Sequence, residues 1–334
     1  MVVRWLLPLL VHKTVYYVVM CIRRLLLLLL LIGLVPHVLA YESDQYSNRP
    51  AIVSDSTMVM DRKVNDALAL VIKDWGEKRR SNKAFARAIY FELGGLHWAD
   101  KIERWAAKTD LVEKYPQTRR QSIYQGMPIW ATRVNFVFGV GRSFKVNEVM
   151  VGSDKFGHFF SQGFKYYKRE LKGWDAQRLY ARAAFAERWL WGQLTTGVYS
   201  NADLVANYEG MLFYKSLFEN DVIEGKRAIL RWKDGKPEQI RQFTWADHIN
   251  DYWDEVLNPS FNVASLDKRL RPRIRKLCGD YETRPELYVS EDDELLWERY
   301  YAIGMKDNRR NLFLNICDRN GGATGTSQAL GVIR

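Results

Sequence analysis

The residues best suited to chemistry lie between Gly152 and Gly210. Asp154-Lys155-x-x-His158 puts a carboxylate, an ammonium and an imidazole within one helical turn, with Asp154 and His158 facing the same way. Glu187 stands at the centre of the apolar arc made by Tyr180, Ala183, Ala184, Leu190, Trp191 and Leu194, where a carboxylate is costly unless partnered. Asp203, Asn207, Gly210 and Tyr214 share one stripe with Leu217 and Phe218. Three chemistries fit this set. His158 could act as general base, with Glu187, raised in pKa by its apolar setting, as acid and Asp154 and Asp203 in support. His158, Glu187 and Asp203 could equally hold a divalent metal, with Asn207 behind them. Or Asp154, Lys155, His158, Glu187, Asp203 and Asn207 form a polar network that ties three helices together and needs no substrate. This last is the reading taken forward.

Each residue also has a plainer role. Ser200-Asn-Ala-Asp203 fits a helix capping box. Phe156, Phe160, Phe164, Tyr167 and Leu171 take the face opposite His158, so His158, with Ser161, Gln162, Lys165 and Arg169, is expected on a wet face or, alternatively, in the lining of a polar cleft. Ser153 and Ser161 are near His158, but no spacing singles either out as a nucleophile, and no nucleophile elbow, HExxH or phosphate loop occurs. His97, His158 and His248 are too far apart for a zinc-finger pattern.

Positioning these groups takes three helices, expected at Asp154–Leu171, Ala176–Leu194 and Asn201–Glu219. The short link Gly197–Ser200 makes the last two an antiparallel hairpin, with Glu187 level with Asn207 to Met211 and Gly210 allowing close approach there. Around this unit, helices are expected at Asp61–Arg80 and Asn82–Lys108, the latter interrupted at Gly94-Gly95. Tyr41–Pro50 is a polar leader and Tyr115–Gly126 a polar connector, while Ile129–Gly141 is apolar and suits helix or loop. Alternating residues flank Asp234-Gly235, the signal for a β-hairpin within Lys226–Phe243. Further helices follow at Trp245–Val256, Ala264–Cys278 and Glu291–Ile303, then a tail from 321 to 334. The fold class is mainly α: a single helical domain over 41–320 with a central three-helix unit (152–219) and one small hairpin.

The order Asp154-Lys155-x-x-His158-Phe159, then Glu187, then Asp203-x-x-Ala206-Asn207-x-x-Gly210 resembles the pattern of the VanZ-like superfamily. It is also similar to small exported lipoproteins that share D-K-x-x-H. VanZ-like proteins are multi-span membrane proteins linked to glycopeptide tolerance, and the resemblance brings no established chemistry. The chain departs from them in one respect: Lys165, Lys168, Arg169 and Glu170 make its first helix unfit to span a bilayer. The likeness covers 152–210 only.

Length and composition set the remaining bounds. With 334 residues, 47% hydrophobic and 27% charged, the chain can bury a core, which excludes wholesale disorder. Its first forty residues hold Arg4, Lys13, Arg23 and Arg24 and no acid. From Met20, a basic start leads into the apolar run Leu25–Leu39, with Val38 and Ala40 at cleavage positions. This reads as a secretory signal peptide cut after Ala40, with Met20 the initiator, and the alternative is an uncleaved anchor. Export places the protein in the periplasm or peripheral to the envelope. There Cys278 and Cys317 are expected to form a disulfide. Without residues 1–40 the chain holds 46 basic and 39 acidic residues, a net charge of +7 that suits an anionic membrane surface or cell-wall polymer, and an exported chain is not expected to meet nucleic acid. The densest basic run, Lys268–Lys276, reads as a solvated helix face or, alternatively, as the seat of a peripheral protein on anionic lipid.

Overall fold

A computed structural model describes residues 42–76, 80–95, 99–115, 120–132, 140–189, 192–194 and 196–317. The expected signal peptide, the tail from 321, His97, Leu190, Trp191 and most of the 129–141 stretch lie outside the described residues. The rest is mainly helical, as the patterning implies, with three small antiparallel pairs of strands where one hairpin is expected. Among the described residues no helix is long and apolar enough to cross a membrane.

Helix α1 (Thr57–Lys73) buries Met60, Val64, Ala67, Leu68 and Val71, one face at helical spacing. Helix α2 (Asn82–Leu93) opens on Ser81, whose hydroxyl accepts from Ala84 N, and stops at Gly94 as expected. Helix α3 (Lys101–Lys108) carries a reciprocal Asp100/Glu103 capping box. Next comes a hairpin, β1 (Ser143–Val146) with β2 (Val149–Gly152), that the sequence does not announce. Its turn uses Asn147 and Glu148, both at positive φ, instead of the glycine that usually marks such turns.

The central rod, α4, runs from Ser153–Gly157 through a widened π turn at His158–Gln162 into Gly163–Glu170. It packs on α6 (Asn201–Ser216), which is buried along almost its whole length. The two backbones touch at Gly163 and Gly210: a methyl group on Gly210 would collide with the Phe159 carbonyl. Gly210 therefore serves the contact with α4, not the expected contact with the Glu187 helix.

That helix, α5 (Ala176–Trp189), ends before Leu194. Eight residues separate it from β3 (Val198–Tyr199), which pairs with β6 (Phe261–Asn262). The longer path replaces the expected tight helical hairpin, and it brings Glu187 to the start of α6, not level with Asn207 to Met211.

The hairpin β4 (Leu230–Lys233) and β5 (Lys236–Gln239) turns at Asp234-Gly235 as expected. The helix expected over Trp245–Val256 does not form; two short 3-10 turns, Trp245–Asp247 and Asp251–Trp253, stand in its place. The side chains of Thr244, Asn250 and Asp254 accept from nearby backbone N–H groups and outcompete the helix. Helices α7 (Ala264–Arg275), α8 (Cys278–Thr283), α9 (Asp293–Tyr300) and α10 (Phe313–Cys317) are the last helices among the described residues. Cys278 and Cys317 form the expected disulfide and join α8 to α10.

The main core centres on aromatic rings from α2, α4 and α6 together with Phe243, Trp245 and Trp253. A second core gathers Tyr46, Tyr124, Leu270, Tyr288 and Phe313.

Candidate functional site

The hydrophobic ridge of α4 points Phe156, Phe159 and Phe160 into the main core. Its other side is not wet, as the helical wheel suggested, but faces α6 and the segment after Trp253. Lys155 is completely buried there. Its Nζ lies 2.6 Å from Asp154 Oδ2, 2.6 Å from Asp203 Oδ1 and 2.8 Å from Glu255 Oε1. Burial alone would lower the ammonium's pKa, but the surrounding carboxylates outweigh it and push the value well above the ordinary one.

His158 lies one turn along. Its Nε2 is 3.1 Å from Asp203 Oδ2 and its Nδ1 3.1 Å from Asn207 Oδ1. Asn207 Nδ2 donates in turn to the Tyr166 hydroxyl, at 3.4 Å. Burial would raise Asp203, yet His158 and Lys155 hold its carboxyl below the usual range. His158 keeps 21% of its side chain exposed, the most open member of the group. Both ring nitrogens are engaged, so a substrate or metal would have to displace Asn207 or Asp203.

The capping box at Ser200 is only half formed. Ser200 Oγ accepts from Asp203 N at 3.1 Å, but the Asp203 carboxylate turns to Lys155 and His158. The reciprocal role passes to Glu187, whose Oε1 accepts from Ser200 N at 3.1 Å. A side chain on Gly192 would collide with that carboxylate, so the glycine lets Glu187 reach over. Burial, with Asp203 adding to it, pushes the Glu187 carboxyl well above its ordinary value. Ser200 Oγ also donates to Glu255 Oε1 at 2.9 Å, which links Glu187's end of the set to Lys155.

The structure thus joins Asp154, Lys155, His158, Asp203 and Asn207 directly, and connects Glu187 through Ser200. Among the described residues no group of three or more His, Cys, Asp or Glu is arranged to hold a metal ion. The space between the carboxylates holds the Lys155 ammonium.

Three participants carry no sequence signal. Glu255 sits in the expected helix that does not form, a hundred positions from Lys155. Ser43 donates to Asp154 Oδ1 at 2.8 Å, and Glu42 is buried beside the same carboxylates with its Oε2 unpartnered. Burial, reinforced by Glu255 and Asp203, pushes Glu42 well above the ordinary carboxyl value.

The expected polar leader is therefore a buried strap. Gln45 bridges the Met150 carbonyl and Glu255 N, and Arg49 pairs with Asp254 at 2.7 Å. Its polarity misleads because each of these groups finds a partner inside.

A second buried cluster lies further along α6. Glu209 accepts from Tyr300 Oη at 2.6 Å and Arg299 Nη2 at 2.7 Å, and its Oε2 lies 3.0 Å from His248 Nδ1. Here too the sequence gives no hint, since the partners lie 39 to 91 positions from Glu209.

No family model, no curated protein and no solved structure matches the chain.

Proposed function

We propose that this is an exported cell-envelope protein in which the Asp154/Lys155/His158/Glu187/Asp203/Asn207 set ties its central helices together. The observation that carries the reading is the fully buried Lys155 ammonium, held within 2.8 Å by carboxylates from α4, α6 and the Glu255 segment. A buried charge met from several elements fixes their mutual register, because sliding any one of them strands a charge in a medium that cannot solvate it. Export is supported by the signal-like N-terminal sequence and by the Cys278–Cys317 disulfide, a bond that persists in oxidising compartments. The VanZ-like order of residues belongs to this proposal as the source of the tie.

A second reading rests on one observation. His158 is the partly open member and has Asp203 against its Nε2; in an envelope hydrolase acting on lipid or cell-wall substrate its Nδ1 would be the general base, with the substrate taking the place of Asn207. The variant His158→Ala separates the two. As a tie, its loss takes the His158 partner from Asp203 Oδ2 and Asn207 Oδ1, and the melting temperature falls by several degrees. As a catalytic base, its loss abolishes hydrolysis of phospholipid or cell-wall fragments while the melting temperature holds. The second outcome overturns the structural reading.

A further inference from the structure

The outward face of α5 is out of keeping with a surface that only meets water. At 100° per residue, Arg178, Arg182, Phe185 and Trp189 fall in one stripe about 60° wide, opposite the buried Leu179, Ala183 and Glu187, and Trp174 stands just before the helix. Phe185 is 46% and Trp189 48% exposed, with Leu171 before the helix and Leu194 after it at least as open. Guanidinium groups lie against the rings: Arg178 is 4.1 Å from the Trp174 centroid, Arg182 5.1 Å from Phe185 and Arg188 5.2 Å from Trp189.

The acids of this region are all engaged elsewhere. Glu170 pairs with Lys215, Asp175 accepts from the Arg178 backbone at the helix start, and Glu187 is inside. The stripe therefore presents cations and large apolar groups with no acid among its described residues.

We infer that this face of α5 seats the protein on an anionic lipid surface. Phe185 and Trp189, flanked by Leu171 and Leu194, enter the boundary between headgroups and acyl chains, while Arg178, Arg182 and Arg188 meet the phosphates. Charge complementarity selects an anionic partner, and the interleaved apolar side chains need a partner with an apolar layer just beneath its charges. The basic helix α7, the seat its sequence suggests, is less suited. Arg271 and Arg273 are held by Asn311 and the Ile123 carbonyl, and Leu266, Leu270 and Ile274 face inward.

The test uses the full chain with Cys21→Ser and a spin label at Ala181→Cys, which is exposed at the edge of the stripe. Position-specific depth keeps the result independent of any attachment by the N-terminal segment. In phosphatidylglycerol vesicles the label should gain oxygen accessibility and lose access to a water-soluble nickel chelate by at least threefold. A label at the exposed Ala51→Cys should change by neither measure, and Arg178→Glu/Arg182→Glu should return the 181 label to its aqueous values. The inference is overturned if the 181 label stays aqueous with phosphatidylglycerol, or responds equally to phosphatidylcholine. It is also overturned if the label is shielded without vesicles in a concentration-dependent way, which would make the occupant a second copy.

Discussion

Helix α6 carries two buried charge clusters on different sides, and they are built on opposite principles. Asp203 and Asn207 face α4, where one ammonium serves Asp154, Asp203 and Glu255, with Glu42 and Glu187 close enough to be influenced by the same charges. Glu209, two residues past Asn207, is a lone carboxylate against His248, Arg299 and Tyr300. In the first cluster acids outnumber cations, and burial raises the carboxyls of Glu42 and Glu187, which favours their protonated forms. In the second, one carboxylate meets three partners, Tyr300, Arg299 and His248 Nδ1, and Arg299 reaches half into solvent. Buried charge thus stabilises in one place by concentrating around a cation and in the other by spreading one anion over three donors.

The sharpest way to break the comparison is to remove the central partner of each cluster. Lys155→Met leaves Asp154, Asp203 and Glu255 buried with no cation between them, and should cost about 3–5 kcal/mol at pH 7 by urea denaturation. The Lys155 charge lowers the carboxyls of Asp203 and Glu255, so its loss raises their folded-state pKa. A raised group contributes stability below its unfolded value and loses it as pH climbs, so the variant's deficit should shrink on acidification towards pH 5. A deficit that does not change with pH would mean that Lys155 does not set the charge of these two acids. In the wild type, Asp203 works the other way. Its lowered value contributes stability above the unfolded pKa of about 3.9 that is lost as pH falls through the folded one.

Glu209→Ala should cost less, about 1–3 kcal/mol, because it strands neutral or solvent-reaching donors instead of a group of anions. A loss as large as that of Lys155→Met in the same urea titration would erase the distinction between the two.

How far these clusters were legible follows from how locally each is encoded. Asp154, Lys155 and His158 occupy one turn of α4, and Asp203 and Asn207 one turn of α6, so residue type and helical spacing were enough to single them out. Glu187 stood out for the same reason, as a carboxylate in an apolar arc. The register of α5 was misread because the connection to α6 includes a two-residue strand, Val198–Tyr199, which leaves no mark in so short a segment. Glu255 and the 42–49 strap were invisible for a different reason. They are polar residues whose burial is made favourable only by partners about a hundred or more positions away. The whole second cluster belongs to that kind. His248 looked like an isolated histidine, and nothing local distinguishes Glu209 from the exposed acids of other helices.

The smallest effect asks how far the proton load of the first cluster extends. Asp100 caps α3, accepts from Ser161 on the same π turn as His158, and has an unpartnered Oδ2. Burial pushes its carboxyl up to about 7, against hydrogen bonding from Ser161 and the Lys165 charge. A folded value above the unfolded one of about 3.9 means that its contribution is complete below that pH and is lost as pH rises through about 7. Across that window one proton imposes a slope of about −1.4 kcal/mol per pH unit on wild-type stability. Asp100→Asn keeps the helix cap and the oxygen that Ser161 uses, but has no proton to lose. Urea titrations from pH 5 to pH 8 should therefore show a flatter curve for the variant, crossing to greater stability than the wild type at the alkaline end. Parallel curves would mean that Asp100 is ionised throughout, and that the need for protons stops at the carboxylates around Lys155.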